Sequence, residues 1–154
     1  MTDPEKPKLT GSLRGVLRGE KTDFPIHFAF GATLRIHGNS LPFEEISTRL
    51  GVQPTHVHRK GERRGPKSSP YQDDAWQFKV TLPETAPLAQ HIETLWEVVK
   101  PHVQYLQSLK QQYKVDVFCG YRSNCDHAGI EVPHTCLEIF TALEVPFGLS
   151  IIIA

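Results

Sequence analysis

The sequence lacks a net charge, a long apolar run and an even set of cysteines, and each absence excludes a class of protein. Its 17 basic and 17 acidic residues cancel, so no overall field attracts a nucleic acid or a membrane surface. The longest nearly apolar run, residues 145–154, is too short to cross a bilayer, and the first residues lack the apolar core of a signal peptide. Three cysteines predict reduced thiols, because an odd number does not form a closed disulfide framework. We therefore expect a cytoplasmic protein without a membrane partner.

The signatures of common enzymes are missing as well. The chain contains no G-x-G-x-x-G or Walker A loop, no G-x-S-x-G elbow and no H-E-x-x-H metal motif. Each of these patterns places a nucleophile, a phosphate or a metal in a known geometry. The sequence therefore supports no named reaction class and predicts no cofactor.

The composition present is that of one globular domain. Hydrophobic residues make up 39% and aromatic residues 9% of the 154 positions, which is sufficient for a single core at this length. Residues 1–25 are poor in apolar side chains and rich in Pro, Lys, Asp and Gly, which predicts a flexible N-terminal arm. We expect a single α+β domain over residues 26–154.

Hydrophobic periodicity predicts the elements of this domain. Strict alternation over residues 26–37 indicates a long strand with one face in the core and the other face open. A helix is predicted between Pro42 and Gly51, and a long helical region over residues 87–113 is interrupted at Pro101. The remaining predicted elements are a short strand after Thr55, strands over 76–82, 115–121, 128–132 and 147–153, and a helix over 133–143.

This order, β-α-β-β-α-β-β-α-β, predicts a mostly antiparallel sheet with helices packed on one face. It is typical of a ferredoxin-like core with an added unit. The last strand is apolar on both faces, so we expect it to be central or covered.

A basic loop follows the first helix. It contains His56, His58, Arg59, Lys60, Glu62, Arg63, Arg64 and Lys67. Five fixed positive charges against one negative charge can hold a phosphate, a nucleic-acid backbone or an acidic protein. The alternative is a solvated loop whose charges are balanced by Asp73 and Asp74.

A second cluster contains the residue types that bind zinc. Cys125 and His127 are followed by His134 and Cys136, and two thiolates with two imidazoles can complete a tetrahedral site. Their spacing is not that of a common zinc finger or ribbon. Cys136 as a buried core residue, with the histidines in solvent, is the alternative.

The open face of the first strand is a third candidate site. His27, Thr33, Arg35 and His37 project in one direction, and Arg35 beside His37 can anchor a carboxylate or a phosphate. The alternative is that Arg35 pairs with a neighbouring acid such as Asp116 or Glu131.

Several segments together carry a resemblance to a known family. They are Leu34-Arg35-Ile36, then Leu50-Gly51-Val52 with Pro54-Thr55, then His58-Arg59-Lys60-Gly61-Glu62, and Trp76 in a strand. This succession resembles the bacterial family called domain of unknown function 4279 over roughly residues 28–153. The resemblance implies no established activity, cofactor or catalytic residue, so it supports the domain boundaries and leaves the function open.

We predict a non-enzymatic binding or interaction module that offers its open sheet face and basic loop to a protein or an anionic ligand. Nucleic acid is a possible partner that the net charge does not indicate. The candidate binding residues are Arg35, His37, His58, Arg59, Lys60, Glu62, Arg63, Arg64 and Trp76.

Two other functions remain as alternatives. One is a small enzyme, either a hydrolase with His56 or His58 as base and Glu62 orienting it, or a protein with zinc at the Cys/His cluster. The other is an immunity-type or regulatory protein that blocks a partner.

Overall fold

The computed structural model describes residues 27–125 and 129–154, and within them a single sheet is formed by five strands. The strands are β1 (Phe28–Gly38), β2 (His56–His58), β3 (Asp74–Lys79), β4 (Lys114–Ser123) and β5 (Gly148–Ile153). The helices are α1 (Phe43–Leu50), α2 (Leu88–Val99), α3 (Val103–Leu109) and α4 (Glu138–Leu143), with short 3-10 turns at Lys100–His102 and His134–Leu137. The predicted N-terminal arm, residues 1–25, lies outside the described residues.

The sheet has the strand order β2-β3-β1-β4-β5. All neighbouring strands are antiparallel except β4 and β5, which are parallel. The α+β class predicted from the sequence is thus confirmed, and the sheet is mixed, with three antiparallel pairings and one parallel pairing.

The predicted element order is wrong in one place, because residues 129–132 form no strand and Ala128 lies outside the described residues. The ferredoxin-like core is not matched in full, since a fifth and parallel strand extends the sheet.

The alternation of apolar and polar side chains along β1 determines which face of the sheet packs against the core. Phe30, Ala32, Leu34 and Ile36 point into one continuous hydrophobic cluster and are almost completely buried. The helices supply the other side of that cluster, and its fully buried members there include Ile46, Ile92, Leu95, Val99, Leu106, Ile139 and Leu143. Each such side chain stabilises the fold by about 1.5–3 kcal/mol relative to an exposed one. The opposite face of β1 is only half-buried.

Gly51 and Pro101 end helices at the positions predicted from the sequence. Gly51 takes a left-handed conformation, with φ of 69°, and its amide donates to the carbonyl of Ser47, which closes α1. Pro101 lies in the 3-10 turn Lys100–His102 between α2 and α3, because proline has no amide to continue an α-helix. The predicted interruption of the long helical region is confirmed.

The last strand is not central. It is the outermost strand of the sheet and pairs only with β4 in the described structure. Ile151, Ile152 and Ile153 are 57%, 47% and 50% exposed. An apolar run on both faces is typical of a covered strand, but here the crossover through α4 returns the chain to the outer side of β4. Among the described residues, no helix is long and apolar enough to span a bilayer.

Candidate binding site

The open face of the sheet is built from the side chains of β1 that point away from the core, together with their neighbours on β3 and β4. Strand register places Gly31 opposite Gly120, and Thr33 between Lys79 and Phe118. In the parallel pairing, β5 adds Ser150 beside Gly120 and Ile152 beside Arg122. The open face therefore combines charged, aromatic and glycine positions in adjacent rows.

A depression of about 390 Å³ lies on this face. Gly31 and Gly120 form part of its lining, with Lys79 on the β3 side, Phe118 at one end and Arg122 towards β5. Its volume is at the lower end of the range of about 300–1,000 Å³ that is typical of small-molecule sites. The depression is therefore large enough to hold a small ligand.

The two glycines leave room on this face for the side chains of their neighbours. A Cβ atom at Gly31 would lie 3.1 Å from Cε of Lys79, and one at Gly120 would lie 3.3 Å from Cε1 of Phe118. The Lys79 stem and the Phe118 ring thus extend across space that other side chains would fill. Glycine within a strand often marks a close approach of another group to the backbone.

Arg35 is held in place by an acidic neighbour. Its Nε donates to Oδ1 of Asp116 at 2.7 Å, and its Nη2 donates to Oδ2 at 2.9 Å. The guanidinium carbon also lies 4.7 Å from the centre of the Phe118 ring. A bidentate pair of this kind satisfies the charge and fixes the geometry. The pairing with Asp116, which the sequence analysis gave as an alternative, is therefore present. With its charge compensated, Arg35 packs against the Phe118 ring.

Lys79 and Arg122 are the positive groups of the depression whose charge is poorly compensated. Nζ of Lys79 lies 3.7 Å from Oε1 of Glu84, and the two side chains are 44% and 60% exposed. A pair this exposed contributes at most about 1 kcal/mol. Arg122 is exposed, and its side chain makes no hydrogen bond or ion pair to any described residue. These two side chains can bind an anion without first breaking a strong native contact.

The histidines lie at the β2 end of the same face. Nε2 of His56 lies 3.0 Å from Nδ1 of His58, and the ring of Tyr71 stacks on His58 with centroids 3.5 Å apart. Burial lowers the pKa of His58, and the nearby His56 and His37 lower it further. His58 is therefore neutral at neutral pH. His37 lies 3.8 Å from the carboxylate of Asp73.

Glu62 is engaged elsewhere. Its carboxylate accepts a hydrogen bond from the amide of Arg59 at 3.1 Å. In the described structure it makes no hydrogen bond to either His56 or His58. The arrangement predicted for a hydrolase, in which Glu62 orients a histidine base, is not formed.

Arg59 anchors the basic loop to the body of the domain. Its Nη1 donates to Oδ2 of Asp74 at 2.7 Å and to the carbonyl of Leu41 at 2.9 Å, and its guanidinium carbon lies 3.7 Å from the centre of the Phe43 ring. Asp74 also accepts the amides of Leu41 and Lys60, at 3.0 and 2.8 Å. Arg59 is therefore a structural residue of the loop.

The other cations of the basic loop remain in solvent. Arg63 donates to the carbonyl of Ser68 at 2.9 Å, within the loop itself. Lys60, Arg63 and Arg64 are exposed, and none of them lines the depression on the sheet. The loop and the depression are thus two separate positive features.

Trp76 lies in the core. It is fully buried, and its Nε1 donates to Oγ of Ser47 at 3.0 Å. A ligand on the surface does not reach it, although the sequence made it a binding candidate.

The cysteine and histidine cluster is only partly described, because His127 lies outside the described residues. Cys125 and Cys136 are buried free thiols, and His134 is exposed. Sγ of Cys136 lies 3.3 Å from Oε1 of Glu93, and burial raises the pKa of this thiol. Within residues 27–125 and 129–154, no three His, Cys, Asp or Glu side chains are grouped so as to hold a metal ion. The predicted zinc site, which needs His127, is left untested.

The sequence missed the residues that form the depression. Gly31 and Gly120 each interrupt a strand pattern, which is a recognised signal of close backbone approach. That signal does not show that they face each other, because the pairing of β1 with β4 is set by the tertiary fold. Lys79 and Arg122 have no local signature at all.

The chain belongs to the family described as a domain of unknown function, DUF4279, whose family model matches residues 27–153. The match spans nearly all of the chain and confirms the resemblance inferred from the sequence. Searches for a similar curated protein and for a similar solved structure both find no match. The family carries no assigned activity, so the function must be argued from the site.

Proposed function

We propose that this domain is a non-enzymatic binding module that holds a small anionic ligand on the open face of its sheet. The observation that carries the proposal is the depression over Gly31 and Gly120, with Lys79 and Arg122 as weakly compensated cations in its wall. It combines a concave shape, a pair of facing glycines at its base and two positive groups.

The charge of the depression favours an anion over a neutral ligand. Arg35 is already neutralised by Asp116, so Lys79 and Arg122 carry the positive charge that remains after the nearby Glu84 is counted. Hydrogen bonds from an ionised donor to a carboxylate or phosphate are roughly twice as strong as neutral ones. Since the chain has a formal net charge of zero, the attraction must be local.

The proposal places the ligand on the sheet face and leaves the basic loop as a separate surface. Arg59 is tied to Asp74, and the exposed Lys60, Arg63 and Arg64 do not line the depression. The loop is available for a protein partner, but no contact in the described structure organises its exposed cations into a site. It provides matched controls, because its arginines carry the same charge in an open setting.

A thermal-shift screen with acetate, succinate, phosphate and benzoate, at constant ionic strength, tests the proposal. At least one anion is expected to raise the Tm of the wild type, because a ligand that binds only the folded state stabilises it. Arg122→Gln and Lys79→Gln are expected to reduce that rise. Arg64→Gln, which removes the same charge from the loop, is expected to keep it. A rise that is equal in all four proteins, or no rise with any anion, would contradict the proposal.

A further inference from the structure

We infer that the ligand of the depression carries a flat aromatic ring as well as an anionic group. This inference rests on the proposed function and specifies its ligand class. It follows from the shape of the floor, the walls beside it and the position of the Lys79 ammonium group.

Two glycines face each other on neighbouring strands at the base of the depression. Gly31 and Gly120 are direct partners in the pairing of β1 with β4, and neighbouring strands lie about 4.8 Å apart. Two side chains are thus missing from adjacent positions of the same face. The Lys79 stem and the Phe118 ring extend over these two positions, so a ligand in the depression meets these side chains. A planar ring makes closer contact with the flat Phe118 ring than a puckered saturated ring does.

The apolar walls are held rigidly next to this floor. The Phe118 ring lies 3.3 Å from the Cβ position at Gly120, and Arg35, fixed by Asp116, lies over the same ring at 4.7 Å. Ile152 of β5 is a further apolar residue of the lining. Aromatic rings meet favourably in edge-to-face or offset geometry, which an anchored Phe118 provides without a large loss of side-chain entropy.

The Lys79 ammonium group lies at the level of the floor. Nζ of Lys79 is 3.6 Å and Cε is 3.1 Å from the Cβ position at Gly31, so the end of this side chain extends over Gly31. A cation in this place attracts both a carboxylate on the ring and the face of the ring itself. Arg122, in the row beyond Gly120, also lines the depression and supplies a second positive charge to it.

Isothermal titration calorimetry with a matched pair of acids tests the inference. Naphthalene-2-carboxylate and decahydronaphthalene-2-carboxylate carry the same charge on the same carbon skeleton, but only the former is flat. We expect the aromatic acid to bind about three- to tenfold more tightly to the wild type, which is the range typical of aromatic pairs. The neutral 2-naphthamide is expected to bind more weakly than the aromatic acid.

Glycine variants locate the preference on the floor. Gly31→Ala adds a methyl group that meets only the flexible end of Lys79, so the fold is expected to persist and the preference for the aromatic acid to disappear. Gly65→Ala, where a Cβ atom meets nothing within 4 Å, is the control and should retain the preference.

The outcomes separate the two proposals. Equal binding of both acids, lost in Arg122→Gln, would overturn the aromatic inference and leave the anion-binding function intact. If neither acid binds the wild type and no anion of the screen stabilises it, both proposals fall.

Discussion

The carboxylate of Asp74 leads to a strong prediction about stability, because its removal leaves backbone donors without an acceptor. In Asp74→Ala, the amides of Leu41 and Lys60 lose their acceptor, and the Arg59 guanidinium keeps only the carbonyl of Leu41. Leu41 is buried, and an unsatisfied buried amide costs about 1–3 kcal/mol. Arg59 is about half in solvent and Lys60 is exposed, so water compensates them in part. We expect Asp74→Ala to lower the free energy of unfolding by about 2–4 kcal/mol.

Urea denaturation followed by tryptophan fluorescence measures this change, since Trp76 is fully buried. Arg59→Ala should cost less, because Asp74 keeps its two backbone donors and stays hydrogen-bonded. Arg64→Ala is the control and should change stability by less than about 0.5 kcal/mol. If the free energy of unfolding of Asp74→Ala is within about 0.5 kcal/mol of the wild-type value, this reasoning is refuted. The alternative from the sequence, a solvated loop, would then hold.

The same contact predicts a pH dependence. The amide of Lys60 lowers the pKa of Asp74, burial opposes this, and the Arg59 and Leu41 contacts lower it further, so the net shift is downward. The stabilisation from Asp74 is complete above the unfolded pKa of about 3.9 and is lost as the pH falls through the lower folded value. Asp74→Asn should therefore show a flatter loss of stability below pH 4 than the wild type.

Three other predictions test separate parts of the structure. Burial lowers the pKa of His91, so the unfolded chain binds a proton at this residue more readily than the folded protein does. The free energy of unfolding should therefore fall below about pH 6.5, by at most about 1.4 kcal/mol per pH unit. His91→Leu should flatten this pH dependence, as measured by urea denaturation at several pH values. Gly38→Ala would place a Cβ atom 2.6 Å from Cδ1 of Tyr113 and should cost about 1–3 kcal/mol, whereas Gly65→Ala should be nearly neutral in the same assay. Removal of residues 1–22, which precede the family match, should leave cooperative thermal unfolding unchanged by calorimetry; a large loss of cooperativity would show that this segment belongs to the core.

Local patterns predicted the parts of the fold that depend on neighbouring residues. The alternation along β1 gives its buried and open faces because side-chain direction alternates in any strand. Gly51 and Pro101 act through their own backbone chemistry, so their effects on the helices are also visible in the sequence. The edge position of β5 depends on which side of β4 the crossover returns to, and no local pattern contains that information.

The site was less predictable because its chemistry depends on contacts between distant segments. The sequence indicates Asp73 and Asp74 as acids that balance the loop charges, but only the fold shows that Asp74 lies 2.7 Å from Arg59 and anchors the loop. Gly31 and Gly120 become a floor only when β1 and β4 pair in one particular register. The open face of the first strand was predicted, whereas Lys79 and Arg122, the cations that matter most there, were not.

A titration of ¹⁵N-labelled protein with naphthalene-2-carboxylate, followed in two-dimensional ¹H–¹⁵N spectra, tests the central claim most directly. If the ligand occupies the open sheet face, the largest and saturable shifts should belong to the amides of Gly31, Gly120 and Arg122, with the loop amides of Arg63 and Arg64 unchanged. Saturable shifts centred on the loop, or no saturable shift at the glycine floor, would contradict it.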